Sequence, residues 1–436
     1  MDVLSQAFAD ADRSFMAASK AVGSSVPRSL VGGMPSIGAF SSSLSKASEQ
    51  YQHYSGWAYV AVRAIASRIA GQSVCVGRVG TARKPGRKLT LPQSFKSIDE
   101  LIEPLASHPF LTAVAAPNPL QTQWSLIYSS VASMLLTGRS CWWLVEENGE
   151  LQIWPIPSHW IEPADRMRSG WKLRPPGLGQ AFDVPATDII PFILPDPSNP
   201  LGLGVSPLQS QAMAVATDEE IQKSQFAAFQ NGVFPSLAFK IGTLPGMAPG
   251  QPGDKPILTA EQRIELVSAV KRLYTGGSKA GEPLILDGLI ESVDKISNLP
   301  EEMDYLDSGL QTKNRILQAY GVNPVVAGQL EGANRASSFV ASMHFAESTC
   351  NPLIEQISQT LTRFACQRFS TPTQKLVAWV EPVKPNDSEM RLNEWKAALA
   401  AGVVSPNEFR QAVLNIDAMA GGDVIRDALG NPMQSG

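Results

Sequence analysis

Four histidines, His53, His108, His159 and His344, are the first places to look for chemistry in this chain. A metal site or a proton-transfer pair needs a second donor at defined spacing, and none of the four has one. Each reads as a surface or hydrogen-bonded core residue. The cysteines, Cys75, Cys141, Cys350 and Cys366, form no C-x-x-C pair and lie beside no histidine, so they read as buried thiols in a reducing compartment. The adjacent carboxylates Glu146-Glu147 and Glu301-Glu302 do not face one site merely by being neighbours. The sequence holds no G-x-S-x-G, H-E-x-x-H or G-x-x-x-x-G-K-[ST] motif. "TGGSKAG" (275–281) follows a helix pattern rather than a strand and reads as a turn. "LGLGVS" (201–206) lacks the third glycine and the downstream acid of a dinucleotide site, so it reads as the turn that starts a helix. No catalytic residue, metal ligand or cofactor is expected, and the chain reads as a non-enzyme.

Cations are as sparse as catalytic groups. The densest run, "RVGTARKPGRK" (78–88), reads as a solvated loop. Lys313, Arg315 and Arg335 are single charges, feeble toward a phosphate chain in one copy. In a ring of copies each would become a circle of charge. The formal net charge of −4 gives no case for strong nucleic-acid affinity of the whole chain. With 436 residues, 44% hydrophobic and 17% charged, the chain is long enough for two or three cores of ordinary globular composition. No window approaches the ~18 apolar residues of a membrane span. The start, "MDVLSQAFADADRSF", has Asp where a secretory signal has Lys or Arg, so a cytosolic protein is expected.

The elements that would position any site follow from periodicity. Residues 1–50, rich in Ser, Ala and Gly, read as a mobile arm. "YSGWAYVAVRAIASRIAG" places Trp57, Val60, Ala61, Ala64, Ile65 and Ile69 on one helical stripe. A helix after Thr122 carries Trp124, Ile127, Val131, Met134 and Leu135 on one face, and "CWWLVEENGELQIW" is a hairpin turned at Asn148-Gly149. Ser206-Pro207 opens a helix with no breaker before Asn231. An insert of short strands and one helix follows, the helix opening with "TAEQ" at 259–262. A helix from about residue 300 carries Met303, Leu306, Leu310, Leu317 and Tyr320 on a seam that also includes Lys313. A long helix then carries Phe339, Met343, Ala346, Cys350, Leu353, Ile357, Leu361 and Phe364, with Pro352 expected to kink it. Two C-terminal helices, "DSEMRLNEWKAALAAG" and "SPNEFRQAVL", complete an α+β chain.

Five stretches in this order resemble the portal proteins of tailed bacteriophages, of the type found in phage HK97. They are "WAYVAVRAIASRIAG", "HPFLTAVAAPNPLQTQWSLIYSSVASMLLTGRSCWWLV", "DIIPFILPDPSNPLGLGVSPLQ", "RILQAYGVNPVVAG" and "AGVVSPNEFRQAVLNIDAMAGGD". Two positions depart from the family pattern: Asn323 stands where a first proline is usual, and Arg139 where Asn is frequent. The resemblance implies a mobile arm at 1–50, an α+β wing at 51–205 and a stem helix at 206–232. It further implies a clip at 233–298, a second stem helix at 299–321 and a tunnel loop at 322–338. A long kinked helix returning to the wing (339–384) and a crown (385–436) would follow. It implies a ring of about twelve subunits at one capsid vertex. Double-stranded DNA would pass through it without sequence readout. Terminase large subunit, capsid or scaffold protein and a head–tail adaptor would dock on it, in the virion and, during assembly, in host cytoplasm. Val325, Val326, Gln329, Asn334 and Arg335 would then line the channel, with Lys313 and Arg315 facing it from the stem. Another ring-forming head–tail component and, more remotely, an α+β hydrolase are the alternatives.

Overall fold

The computed structural model describes residue 44 and residues 46–80, 89–147, 149–165, 168–176, 180–230, 237–241, 261, 264, 290–295, 305–329, 334–370, 375–384, 388–414 and 416–425. Order begins earlier than expected. Leu44 and Gln50 are buried, and the Gln50 side chain donates to the Leu44 carbonyl at 2.7 Å within a short helix, α1 (Ala47–Gln52). The rest of the expected arm, 1–43, lies outside the described residues.

Small residues set how closely the next helices approach. α2 (Gly56–Ala70) buries Ala58, Ala61, Val62, Ile65, Ala66, Ile69 and Ala70. It lies on a helix after Thr122, and between them the chain forms β1 (Val74–Val79), β2 (Ile102–Pro104) and α3 (Pro109–Ala115). His108 caps α3: its Nδ1 accepts from the Phe110 N–H at 3.2 Å, and Pro109 occupies the first position, where a missing N–H costs nothing. α4 (Gln123–Thr137) opens with a reciprocal cap between Thr122 and Ser125. Its buried face is Leu126, Ile127, Ser130, Val131, Met134 and Leu135. Trp124, expected on that face, is 49% exposed and stacks on Tyr128 instead.

Among the described residues every sheet is antiparallel. β3 (Arg139–Glu147) and β4 (Glu150–Ile156) form the expected hairpin, with Glu147 opposite Glu150 and Gly149 at φ +81°; Asn148 lies outside the described residues. β5 (Ile161–Pro163), β6 (Gly170–Leu173) and β7 (Phe182–Pro185) form a small meander, and β8 (Ile189–Ile193) returns to pair with β3. Two glycines meet here, Gly138 at the entry to β3 and Gly204 after β8. A Cβ on Gly138 would lie 2.9 Å from the Gly204 and Val205 backbone, and one on Gly204 would lie 2.6 Å from the Gly138 and Leu194 carbonyls. Both have positive φ, so side chains are excluded by conformation and by space.

Ser206 caps the next helix, accepting from the Gln209 N–H at 3.0 Å. The unbroken helix expected there is two pieces, α5 (Pro207–Ser210) and α6 (Ala212–Gln230), because Gln211 leaves helical dihedrals at ψ 24°. Of the insert, β9 (Leu237–Ile241) pairs with β10 (Ile290–Lys295), and residues 261 and 264 are helical; its remainder, including "TGGSKAG", lies outside the described residues.

α7 (Tyr305–Ala319) packs on α6 and α2. Its buried face is Thr312, Lys313, Ile316 and Leu317, whereas Leu310, expected on the seam, is 51% exposed. The long helix is α8 (Arg335–Phe345), a π turn (Ala346–Cys350), α9 (Asn351–Thr360) and a second π turn (Leu361–Ala365). Pro352 sits just after the first π turn, which widens the helix where proline cannot donate. Each π turn rephases the face. Phe345 is buried where a 3–4 pattern put Met343, which is 38% exposed. β11 (Lys375–Val380) completes a sheet in the order β11–β1–β2, and α10 (Ser388–Ala400) and α11 (Pro406–Phe409) follow, the latter running into a third π turn (Arg410–Leu414). The chain is an α+β protein with one extended apolar core joining α2, α4, α7, α9 and β11.

Candidate functional site

The loop between α7 and α8 is built outward from a helix stop. Gly321, at φ +67°, donates to the Gln318 carbonyl, and Val322 donates to the Leu317 carbonyl, both at 2.9 Å. This double closure ends α7 and buries Val322. Thr349, in the first π turn, donates from Oγ1 to the Gly321 carbonyl at 2.7 Å. A Cβ on Gly321 would meet that Oγ1 at 2.5 Å, so glycine is required by sterics as well as by φ.

The next residues form a turn whose bonds are internal. Asn323 Oδ1 accepts from the Val325 N–H at 2.9 Å, and its carbonyl accepts from Ala327 at 3.1 Å. The departure from the family's proline is therefore productive: Asn caps the turn with its side chain, which proline cannot do. Val326 and Ala327 are partly buried against the main core. Gln329 Oε1 accepts from Lys313 Nζ at 3.1 Å, and that ammonium also lies 5.4 Å from the Trp57 ring centroid. Residues 330–333, including Glu331, lie outside the described residues. Asn334 then caps α8, exchanging bonds with Ser337 at 2.8 and 3.0 Å.

The residues expected at this site therefore have different surroundings. Val325, Val326 and Gln329 lie together on the anchored half of the loop, Asn334 is used in capping, and Arg335 opens α8 with an exposed side chain. Arg315 is exposed on α7, whereas Lys313 is only 8% exposed and turned into the subunit. Lys313 and Arg315 are two residues apart and so point about 200° apart around a helix. One helix cannot present both to the same surface. Sequence reasoning missed the roles of Trp57 and Thr349. Trp57 was legible as apolar but not as the ring under a cation. Thr349 faces the loop only because a π turn rotates it there.

The other candidate groups are structural. His53 Nδ1 lies 2.6 Å from Glu219 Oε1, and this contact holds the Glu219 carboxyl below its usual range. His159 rests edge-on between Tyr51 and Trp160, and burial pushes its imidazole down. His344 contacts Ser348. Arg139, the second family departure, donates to the Ser158 carbonyl at 2.8 Å from a half-buried position. All four cysteines are free thiols, and burial pushes Cys141, Cys350 and Cys366 up to about 12, which makes them poor nucleophiles. Among the described residues no cluster of three His, Cys, Asp or Glu side chains is arranged for a metal, and no helix is long and apolar enough to cross a membrane.

The fold and loop define an α+β scaffold in which a body presents an anchored interhelical loop. The chain belongs to the phage portal protein family: the family model described as "Phage portal protein" matches residues 91–413. Among solved structures it resembles a chain in the virion of a native gene transfer agent particle, at 18% identity and TM-score 0.50, covering 91% of this chain and 98% of that one. A chain in the neck of the empty particle, computed with C6 symmetry, gives 19% identity and TM-score 0.50 over 83% and 90%. An HK97-family phage portal protein from Corynebacterium diphtheriae gives 13% identity and TM-score 0.48 over 78% and 96%.

Proposed function

We propose that the chain is the subunit of a closed ring of about twelve copies, since heterologous contacts that repeat by rotation close into rings. The ring forms a channel for double-stranded DNA at one capsid vertex. Residues 51–205 act as wing, α5–α6 and α7 as stem, 233–298 as clip, 339–384 as the return to the wing and 385–436 as crown. Residues 322–338 face the passing duplex. The observation that carries this reading is the loop itself: a turn of Val325, Val326, Ala327 and Gly328, bonded internally and fastened to the body between the stem helix α7 and the long helix that begins with α8. A surface past which DNA slides must neither grip phosphates nor read bases, since each neutralised phosphate adds affinity. Arg315 and Arg335 supply the modest positive field, multiplied around the ring. Terminase, the capsid or its scaffold and a head–tail adaptor dock on the same ring, and movement of DNA is powered by a separate ATPase.

Native mass spectrometry of the purified protein should give a closed ring, and a monomer at high concentration and low salt would overturn the proposal. In a packaging reaction, Arg315→Ala with Arg335→Ala should leave rings intact while weakening a salt-sensitive DNA contact. Unchanged salt dependence would remove these two residues from the channel.

A further inference from the structure

A buried ammonium is costly unless it is paired, yet Lys313 is more than nine-tenths buried and joins no ion pair among the described residues. Its contacts are the Gln329 amide oxygen at 3.1 Å and the face of Trp57 at 5.4 Å. Both are neutral, and they come from two separate elements: Trp57 from the first turn of α2, Gln329 from the far end of the loop's anchored half. Leucine at this seam position of α7 would pack on the core without this cost. We infer that Lys313 is a positioning residue, a latch that fastens the loop's described half, through Gln329, to α2 and α7.

The latch closes a bracket. At one end Thr349 holds the Gly321 carbonyl and Val322 is buried; in the middle Val326 and Ala327 lie on the core; at the other end Lys313 holds Gln329. Of these contacts, that with Gln329 is the one made to a charged group, and it is therefore the strongest single hydrogen bond of the bracket. This inference deepens the channel reading, but the latch is a property of the single subunit and is testable without DNA.

The test is hydrogen–deuterium exchange of the full chain, read over 322–329. Lys313→Met keeps the length and removes the charge. Exchange there should rise about ten- to a hundredfold, the range of a hydrogen bond to a charged group, while protection of α4 and β3 stays unchanged. Gln329→Glu converts the amide to a counter-ion and should slow exchange over the same residues. In the Lys313→Met background that slowing should vanish, which a packing role for either side chain would not produce. Unchanged exchange in Lys313→Met, or a rise spread evenly over the subunit, would overturn the latch. If Lys313→Met fails to fold, Gln329→Glu alone decides, and no slowing overturns it. A confirmed latch in variants whose DNA packaging is normal would leave the latch standing and sink the channel role of the loop.

Discussion

The region around α2, α4 and β3 and the C-terminal region 388–425 are held by different forces. In the first, Ile65, Ile69, Leu126, Met134, Leu136 and Leu144 are essentially removed from solvent. At ~1.5–3 kcal/mol for each fully buried large side chain, apolar burial dominates its stability. In the second, among side chains described at 392–414 and 416–425, only Ser405, Asn407 and Gly422 are buried. Val403, Leu414 and Met419 are at least half exposed. What organises that region is polar. Asn407 Nδ2 donates to the Met419 carbonyl at 3.0 Å and to Asp423 at 2.8 Å, while its Oδ1 accepts from the Met419 N–H at 2.8 Å. Ser405 and Glu408 exchange capping bonds, and Arg410 Nε donates to the Asp417 carbonyl at 3.0 Å. The Asn-Glu-x-Arg pattern is a clamp on the chain that follows it. One sequence thus holds a burial-driven body and a hydrogen-bonded appendage, which should respond to different perturbations.

The largest contrast is expected for apolar truncation. Leu126→Ala should cost about 2–5 kcal/mol in urea unfolding of the isolated subunit, because it empties a site with no solvent to refill it. Leu414→Ala should stay within about 0.5 kcal/mol, as for other exposed positions. Equal costs would mean that the C-terminal region has a core of its own, and the comparison would collapse.

Local and tertiary features differed in how well they could be read. The hairpin at Gly149, the helix starts after Thr122, at Ser206 and at Ser405, and the stripe of α2 were legible because each depends on a few neighbouring residues with one physical role. Met343, Leu310 and Trp124 were misplaced for a different reason. Their exposure depends on two π turns and on which helix passes nearby, and neither is local. The loop was legible as a break between helices. That half of it is fastened to the body was not, because the fasteners, Lys313, Trp57 and Thr349, are far apart in sequence. The buried position of Lys313 follows from α7 lying against α2, a tertiary fact that overrides the preference of lysine for solvent.

A smaller, local effect separates the regions more sharply. Asn407→Ala removes three side-chain bonds and takes the acceptor from the Met419 N–H, while the Met419 carbonyl keeps the Gly422 N–H, a loss of order 1–3 kcal/mol. Because 416–425 is not part of the core, that loss should show as faster proteolysis between 414 and 425, with the main unfolding midpoint unmoved. Gly422→Ala should mimic it, since a Cβ there would meet Asn407 Oδ1 at 2.3 Å. A shifted global midpoint in either variant would show that the appendage is cooperative with the body.

The smallest expected effect is one of pH, and it belongs to the body alone. Burial lowers the imidazoles of His108 and His159 below their ordinary 6.5, so the unfolded chain binds protons more readily than the folded one as pH falls through that value. Their contribution to stability is fully present above about 6.5, declines as pH falls below it, and levels off below the folded values. His108 adds a structural reason. Its Nδ1 accepts the Phe110 N–H only while unprotonated, so acid removes the cap of α3 as well as charging a half-buried ring. Thermal unfolding between pH 7 and 5 should therefore show a falling midpoint. His108→Asn keeps a capping acceptor without the titration and should flatten part of that slope, while changing the midpoint at pH 7 only slightly. If His108→Asn retains the full slope, another group governs the acid response and the body's pH dependence does not pass through the α3 cap.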